Sequence, residues 1–189
     1  MDCIKRIRIH FYKRICIPFL NKFLSGKNCF KYKNHILRCA GYKIGDGTKV
    51  VGPVFITADL SIGKNCWIGA FFKATGNGKV TIGNCVDIAP EVTISTGGHQ
   101  IGDFKRRAGK GVIFNTIIED GCWICQRAII ANGAIVKKGS VVASGAVVVK
   151  TFDDNCLLAG VPAIVKKKYN KNWFFCNSFV VLDNLCLYC

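Results

Sequence analysis

A single histidine, His99, stands inside the glycine-rich and basic stretch ISTGGHQIGDFKRRAGKGVIF, residues 94–114. The chain has two others, His10 and His35, both in its basic first segment. Imidazole ordinarily titrates near neutrality, so it can take a proton from one group and pass it to another. The preceding pair Gly97-Gly98 lets the backbone follow a tight path and lets a second molecule come close. Twelve cysteines are the other reactive groups. Cys122-x-x-Cys125 and Cys186-x-x-Cys189 have zinc-like spacing, but a six-residue repeat accounts for Cys122 as a small buried residue. No metal site is expected. Nor is a disulfide framework, because a chain this long needs no staples and carries no signal-peptide pattern.

The element that must position His99 is a period of six. Ile44, Val50, Ile56, Ile62 and Ile68 are spaced by six, as are Ile82, Ile88 and Ile94. In the same phase follow Val112, Ile118, Ile124, Ile130, Val136, Val142 and Val148. Two residues before this aliphatic position the side chain is often small, as at Cys66, Cys122, Ala128, Ala134, Ser140 and Ala146. This is neither a helical stripe nor strict alternation. It fits three flat faces making a triangular turn of about eighteen residues, with the aliphatic side chain inward and stacked on its copy one turn later. Between Ile68 and Ile82 lie two residues too many. With these removed, Trp67 and Trp123 lie three coils apart and share a column with Asp87. From Ile94 to Val112 is eighteen, so residues 95–111 read as one coil's worth of chain let out as an excursion. Loops of this size in a compact repeat usually carry function.

The repeat, with "STGGHQIGDFKRRAGKG", "IIEDGCWI" and "AGVPAIVKK", resembles the hexapeptide-repeat acetyltransferases of bacteria, the sugar, exopolysaccharide, serine and xenobiotic acetyltransferases. The resemblance covers about residues 42–168. It implies a left-handed parallel β-helix, a handedness that the spacing alone does not give. It implies acetyl-CoA as co-substrate, no metal, and a homotrimer with active sites between subunits. It makes His99 the general base, with Trp123 twenty-four residues on, as in the family. By position in the family, the coenzyme contacts fall on Trp123, Gln126, Ser144, Gly145, Lys150 and Lys167, and the oxyanion donor lies near Gln126. Asp87, Phe71 and Asp103 are the candidate acceptor contacts. Two departures bear on the acceptor: no amide stands near Gly69-Ala70, where many sugar acetyltransferases carry asparagine, and Gln100 stands where an acidic residue often follows the histidine.

Three segments are expected: a basic amphipathic helical leader 1–41, the β-helix 42–168 with its excursion 95–111, and an apolar extension 169–189. The net charge is +16, yet residues 1–43 hold eleven Lys/Arg against Asp2 alone, +10 of that total. Ile4, Ile7, Phe11 and Ile15 lie near one helical face, and Pro18 is expected to interrupt the helix. Such a leader packs across the β-helix or lies on a membrane surface. No apolar run approaches the ~20 residues that span a bilayer. The expected setting is cytoplasmic, at most against the inner face of the cytoplasmic membrane through residues 1–40, with no nucleic-acid partner. The leading function is acetyl transfer to a sugar hydroxyl of a surface polysaccharide or its precursor. Serine O-acetylation, amino-sugar N-acetylation and a non-enzymatic β-helix scaffold are the alternatives, since the fold does not choose among them.

Overall fold

In the computed structural model, which describes Ile9 and residues 11–170, the chain from Lys43 onward winds as a left-handed parallel β-helix. Its first face stacks Lys43–Ile44, Asp59–Ile62, Lys79–Ile82, Thr116–Ile118 and Ile135–Val136. The second stacks Lys49–Val50, Trp67–Ile68, Asp87–Ile88, Trp123–Ile124, Val141–Val142 and Cys156–Gly160. The third stacks Val54–Ile56, Phe72–Thr75, Thr93–Ser95, Ile129–Ile130 and Val147–Val148. Neighbouring rungs on each face run parallel, and Ile44 lies opposite Ile62 as Ile117 lies opposite Ile135, eighteen residues on.

Burial explains the period. Ile68, Ile88, Ile124 and Val142 form one column with no exposed surface, and Cys66, Val86, Cys122 and Ser140 point into the same interior two residues earlier. Each fully buried isoleucine contributes about 1.5–3 kcal/mol, and a single coil has no opposite wall to bury it against. The chain turns the first corner, between the first and second faces, through left-handed residues: Asn65, Cys85, Gly121 and Gly139 all have φ between 54° and 68°. Gly63 serves a different need there. A Cβ on it would strike the Gly83 carbonyl of the next coil, so the close stacking requires its absence.

Two steps exceed eighteen, and both fall at the third corner, between the third and first faces; the last step, from Val142 to Leu158, is sixteen. Ile62 lies opposite Ile82, twenty residues on, with the surplus taken up around Gly76-Asn77-Gly78. Ile82 lies opposite Ile118, thirty-six residues on, because a whole coil is given to an antiparallel hairpin, Gly97–Ile101 with Ala108–Ile113. Val112, whose spacing suggested a core rung, belongs to that hairpin and pairs with Gly98, so the core resumes at Ile118. Its phase is a coincidence of length. Ala74, by contrast, lacks the branched aliphatic side chain of the repeat and yet is a fully buried rung on the third face.

Helices close the lower end. A π-helical turn, Tyr12–Cys16, runs into α1, Ile17–Phe23, and α2 follows at Phe30–Cys39. Ile17, Leu20, Leu37 and Ala40 are buried and continue the core beneath the first coil. Pro18 does not interrupt the helix, contrary to expectation. It sits in the first turn of α1, and the wider turn upstream relieves the clash a proline makes with the carbonyl four residues back. Lys33 of α2 is fully buried, donating from Nζ to the carbonyls of Gly26 (2.5 Å) and Val51 (2.9 Å). Burial pulls its pKa below the usual lysine range. At the upper end Cys156–Gly160 turns back as Ala163–Lys168, an antiparallel pair on the second face. Ile4, Ile7 and residues 171–189 of the expected extension lie outside the described residues. Among the described residues no helix is long and apolar enough to cross a membrane.

Candidate active site

His99 is carried on the hairpin, opposite Gly111 and clear of the β-helix core. Its Nδ1 lies 2.9 Å from the Gly109 carbonyl oxygen. A carbonyl only accepts, so Nδ1 carries the proton and Nε2 presents a lone pair. One hydrogen bond thus sets both the ring's orientation and its tautomer. The ring borders an open groove of about 460 Å³ shared with Gly76, Asn77, Gly97, Gly98, Gly111, Val112 and Ile113.

The hairpin is rooted by Thr96, which stands in the segment that carries the family resemblance but to which neither the repeat nor the resemblance gives a role. Thr96 is fully buried; its hydroxyl donates to the Thr75 carbonyl (2.9 Å) and accepts from the Gly78 N–H (3.0 Å). The Thr96 N–H also donates to Thr75, and the Phe114 N–H to Thr96, which ties the two hairpin strands at their base. The two surplus residues of the coil below therefore form the floor under His99. Their signal in the sequence is the fourteen-residue step from Ile68 to Ile82, which by itself reads only as a shift of register.

Trp67, Asp87 and Trp123 do share one column on the second face. Phe30 of α2 meets Trp67 edge-on at 6.0 Å, so the lower tryptophan is a seat for the helical cap. Trp123 is half-buried two coils higher, not three, because the hairpin takes up one coil's worth of chain, and Asp87 between them is exposed. Gln126, Ser144 and Gly145 follow at the second corner, between the second and third faces, where the Gly145 N–H donates to the Gln126 carbonyl (2.9 Å). Gly145 has φ +68° and nothing within 4 Å of where a Cβ would stand, so this corner is open to a narrow ligand. Beside Gln126, Arg127 reaches to the coil below and pairs with Glu91 at 2.6 Å, which holds the Glu91 carboxyl below the usual range. Phe71 lies on the same corner two coils down and is 55% exposed.

Lys150 sits above the third corner, with its ammonium 5.3 Å from the Phe152 ring centre, and Lys167 lies on the closing hairpin opposite Leu157. Asp103 is at the tip of the His99 hairpin. There one carboxylate oxygen accepts from the N–H groups of Lys105 (2.9 Å) and Arg106 (3.1 Å), so it holds its own turn. Within one chain, then, His99 and Asp103 project from the third corner, whereas Trp123, Gln126, Ser144, Gly145 and Phe71 line the second face and second corner.

Cys122 and Cys125 are both buried, and the Cys122 thiol donates to the Lys137 carbonyl at 3.2 Å. Burial pushes its pKa up to about 11, and it pushes Cys66 up too. The eight described cysteines are free thiols, and Cys186 and Cys189 lie outside the described residues. In the folded protein at pH 8, exposed Cys85 is expected to react with a thiol reagent within minutes. Cys66 and Cys122 should react only when denaturant is added, which peptide mass mapping reads directly.

The chain is 31% identical over 192 residues to galactoside O-acetyltransferase of Escherichia coli (strain K12), covering 93% of this chain and 95% of that one. A hexapeptide-repeat-containing acetyltransferase from Vibrio cholerae superposes with a TM-score of 0.73 at 22% identity, over 88% of this chain and 93% of its own. A galactoside acetyltransferase in complex with coenzyme A superposes with a TM-score of 0.68 at 24% identity, over 92% and 86%. No family model matches the chain. With the repeat, the three stacked faces and a near-full-length relative in agreement, the chain belongs to the hexapeptide-repeat acetyltransferases, enzymes that take their acetyl group from acetyl-CoA.

Proposed function

We propose that the protein moves an acetyl group from acetyl-CoA to a sugar hydroxyl, on a surface polysaccharide or its precursor, with His99 as general base. The observation that carries the reading is the Nδ1–Gly109 hydrogen bond, which leaves Nε2 able to accept a proton. A sugar hydroxyl is a poor nucleophile at neutral pH, whereas a thioester is already activated. As the hydroxyl oxygen bonds to the thioester carbonyl carbon, Nε2 takes its proton. When the carbon–sulfur bond breaks, the same proton goes to the departing thiolate. No covalent enzyme intermediate is needed, and a base so placed contributes roughly 10²–10⁴-fold. A donor near Gln126 would meet the tetrahedral oxyanion.

The pantetheine arm suits the second corner, with Trp123 as its wall and the open edge at Gly145 as its passage. Lys150 and Lys167 would meet the coenzyme phosphates as compact charges. Because the base and this groove stand at different corners of one chain, a complete site needs the third corner of one subunit beside the second corner of another. That division supports a homotrimer with interfacial sites. The use of acetyl-CoA supports a cytoplasmic setting, with residues 1–40 against the inner face of the cytoplasmic membrane.

The test is calorimetric binding of acetyl-CoA together with thiol release on a panel of sugars. Lys150→Ala/Lys167→Ala is expected to weaken acetyl-CoA about tenfold, with a smaller loss for a coenzyme lacking the ribose phosphate. Equal affinity of wild type and variant for both forms would remove these lysines from the coenzyme site. No binding by the wild type would return the chain to the scaffold reading.

A further inference from the structure

The helical run at the lower end has two apolar faces, and only one is used by the fold. Ile17 and Leu20 turn inward to the core. On the other side Phe11, Ile15, Phe19 and Phe23 are 49–63% exposed, spaced by four residues in one stripe. In a plain α-helix such a stripe drifts around the axis, but the π turn at Tyr12–Cys16 is wider and cancels part of that drift. Phe19 and Phe23 touch at 5.0 Å between ring centres. Four large apolar side chains in line and open to water are unusual on a protein whose core is already complete.

The charge around the stripe is of one sign. Arg14, Lys22, Lys27 and Lys31 are exposed, and the sequence from Cys3 to Gly45 contains no acid. Apolar side chains in the middle and cations at the edge match the depth profile of an anionic bilayer, where rings enter the acyl boundary and ammonium groups meet phosphates. A second copy of the same face would instead bring like charges together. We infer that this surface, built from the Phe11–Phe23 stripe and its flanking cations, docks the enzyme on a membrane carrying anionic lipid. The inference rests on the peripheral placement proposed above and not on the transfer chemistry, so the two can fail separately.

The experiment is co-sedimentation of the full chain with vesicles of phosphatidylcholine alone, or with about one-third phosphatidylglycerol. Wild type is expected to pellet with the anionic vesicles and to stay largely in solution with the neutral ones. Phe19→Ser/Phe23→Ser should lose anionic-vesicle binding about tenfold or more. Arg14→Gln/Lys22→Gln should lose it in proportion to charge, with the remaining binding less sensitive to salt. Circular dichroism melts check that both variants fold, and acetyl-CoA binding without vesicles should match wild type. Wild type that ignores anionic vesicles overturns the inference, as does binding unchanged in Phe19→Ser/Phe23→Ser. A vesicle-free oligomer that this variant alone dissolves would also overturn it and assign the face to a second copy.

Discussion

Replacing His99 with alanine should lower acetyl transfer roughly 10²–10⁴-fold while acetyl-CoA affinity stays within about twofold of wild type. The split follows from where the residue stands. His99 projects from the third corner on its own hairpin and bonds through its ring to Gly109, whereas Trp123 and the open edge at Gly145 lie on another corner. Removing the imidazole takes away the proton acceptor without touching the groove proposed for the coenzyme. The hairpin itself should survive, since its root is held by Thr96, Thr75 and Gly78. His99→Gln keeps a polar side chain that could still donate to Gly109 but has no basic nitrogen, so it should be as slow as alanine. Thiol release and acetyl-CoA affinity, measured side by side on the three proteins, check the assignment. A variant that keeps more than about a tenth of the wild-type rate would remove His99 from the chemistry.

Phe72→Ala is expected to cost about 3–5 kcal/mol of stability, the largest effect of any single core truncation here. Phe72 is fully buried at a position where other coils carry smaller residues: Val54 lies opposite it in the coil below, and Val92 holds the equivalent place above. Its coil compensates by placing Ala74, also fully buried, where its neighbours have Ile56 and Ile94. The coil has exchanged large and small between the two inward positions and kept the total volume. Phe72→Val/Ala74→Ile, which restores the ordinary pattern, should therefore cost clearly less than Phe72→Ala alone. Urea unfolding of the three proteins decides this. A double variant no better than Phe72→Ala would mean that the two positions do not share one volume.

The same exchange shows why the repeat is legible in most places and not in all. A six-residue step with branched aliphatics is written by the geometry of a buried column, so the spacing alone marks Ile68, Ile88 and Ile124 as rungs. Ala74 breaks the step because the column tolerates any residue pair of the right combined size. Val112 keeps the step and yet is no rung, because hairpin length is independent of coil phase. The column of Trp67, Asp87 and Trp123 follows from arithmetic on the register. That Phe30 seats on Trp67 does not, since nothing local in either segment encodes the docking of α2. At the site, His99 stands out by its type and its glycines. Thr96 and the Gly76–Gly78 floor do not, because their role lies in hydrogen bonds between residues eighteen or more apart. The tautomer of His99 is likewise a property of the folded hairpin: it depends on Gly109 lying across the turn.

Transfer to a sugar hydroxyl leaves its mark on the acceptor atom, which mass spectrometry can read after incubation with isotopically labelled acetyl-CoA and a panel of sugars, serine and amino sugars. One labelled acetyl group is expected on a sugar oxygen, formed by wild type and not by His99→Ala, with free coenzyme A released in equal amount. Label found only on serine or on an amino-sugar nitrogen, or coenzyme A released with no labelled acceptor, would contradict sugar O-acetylation.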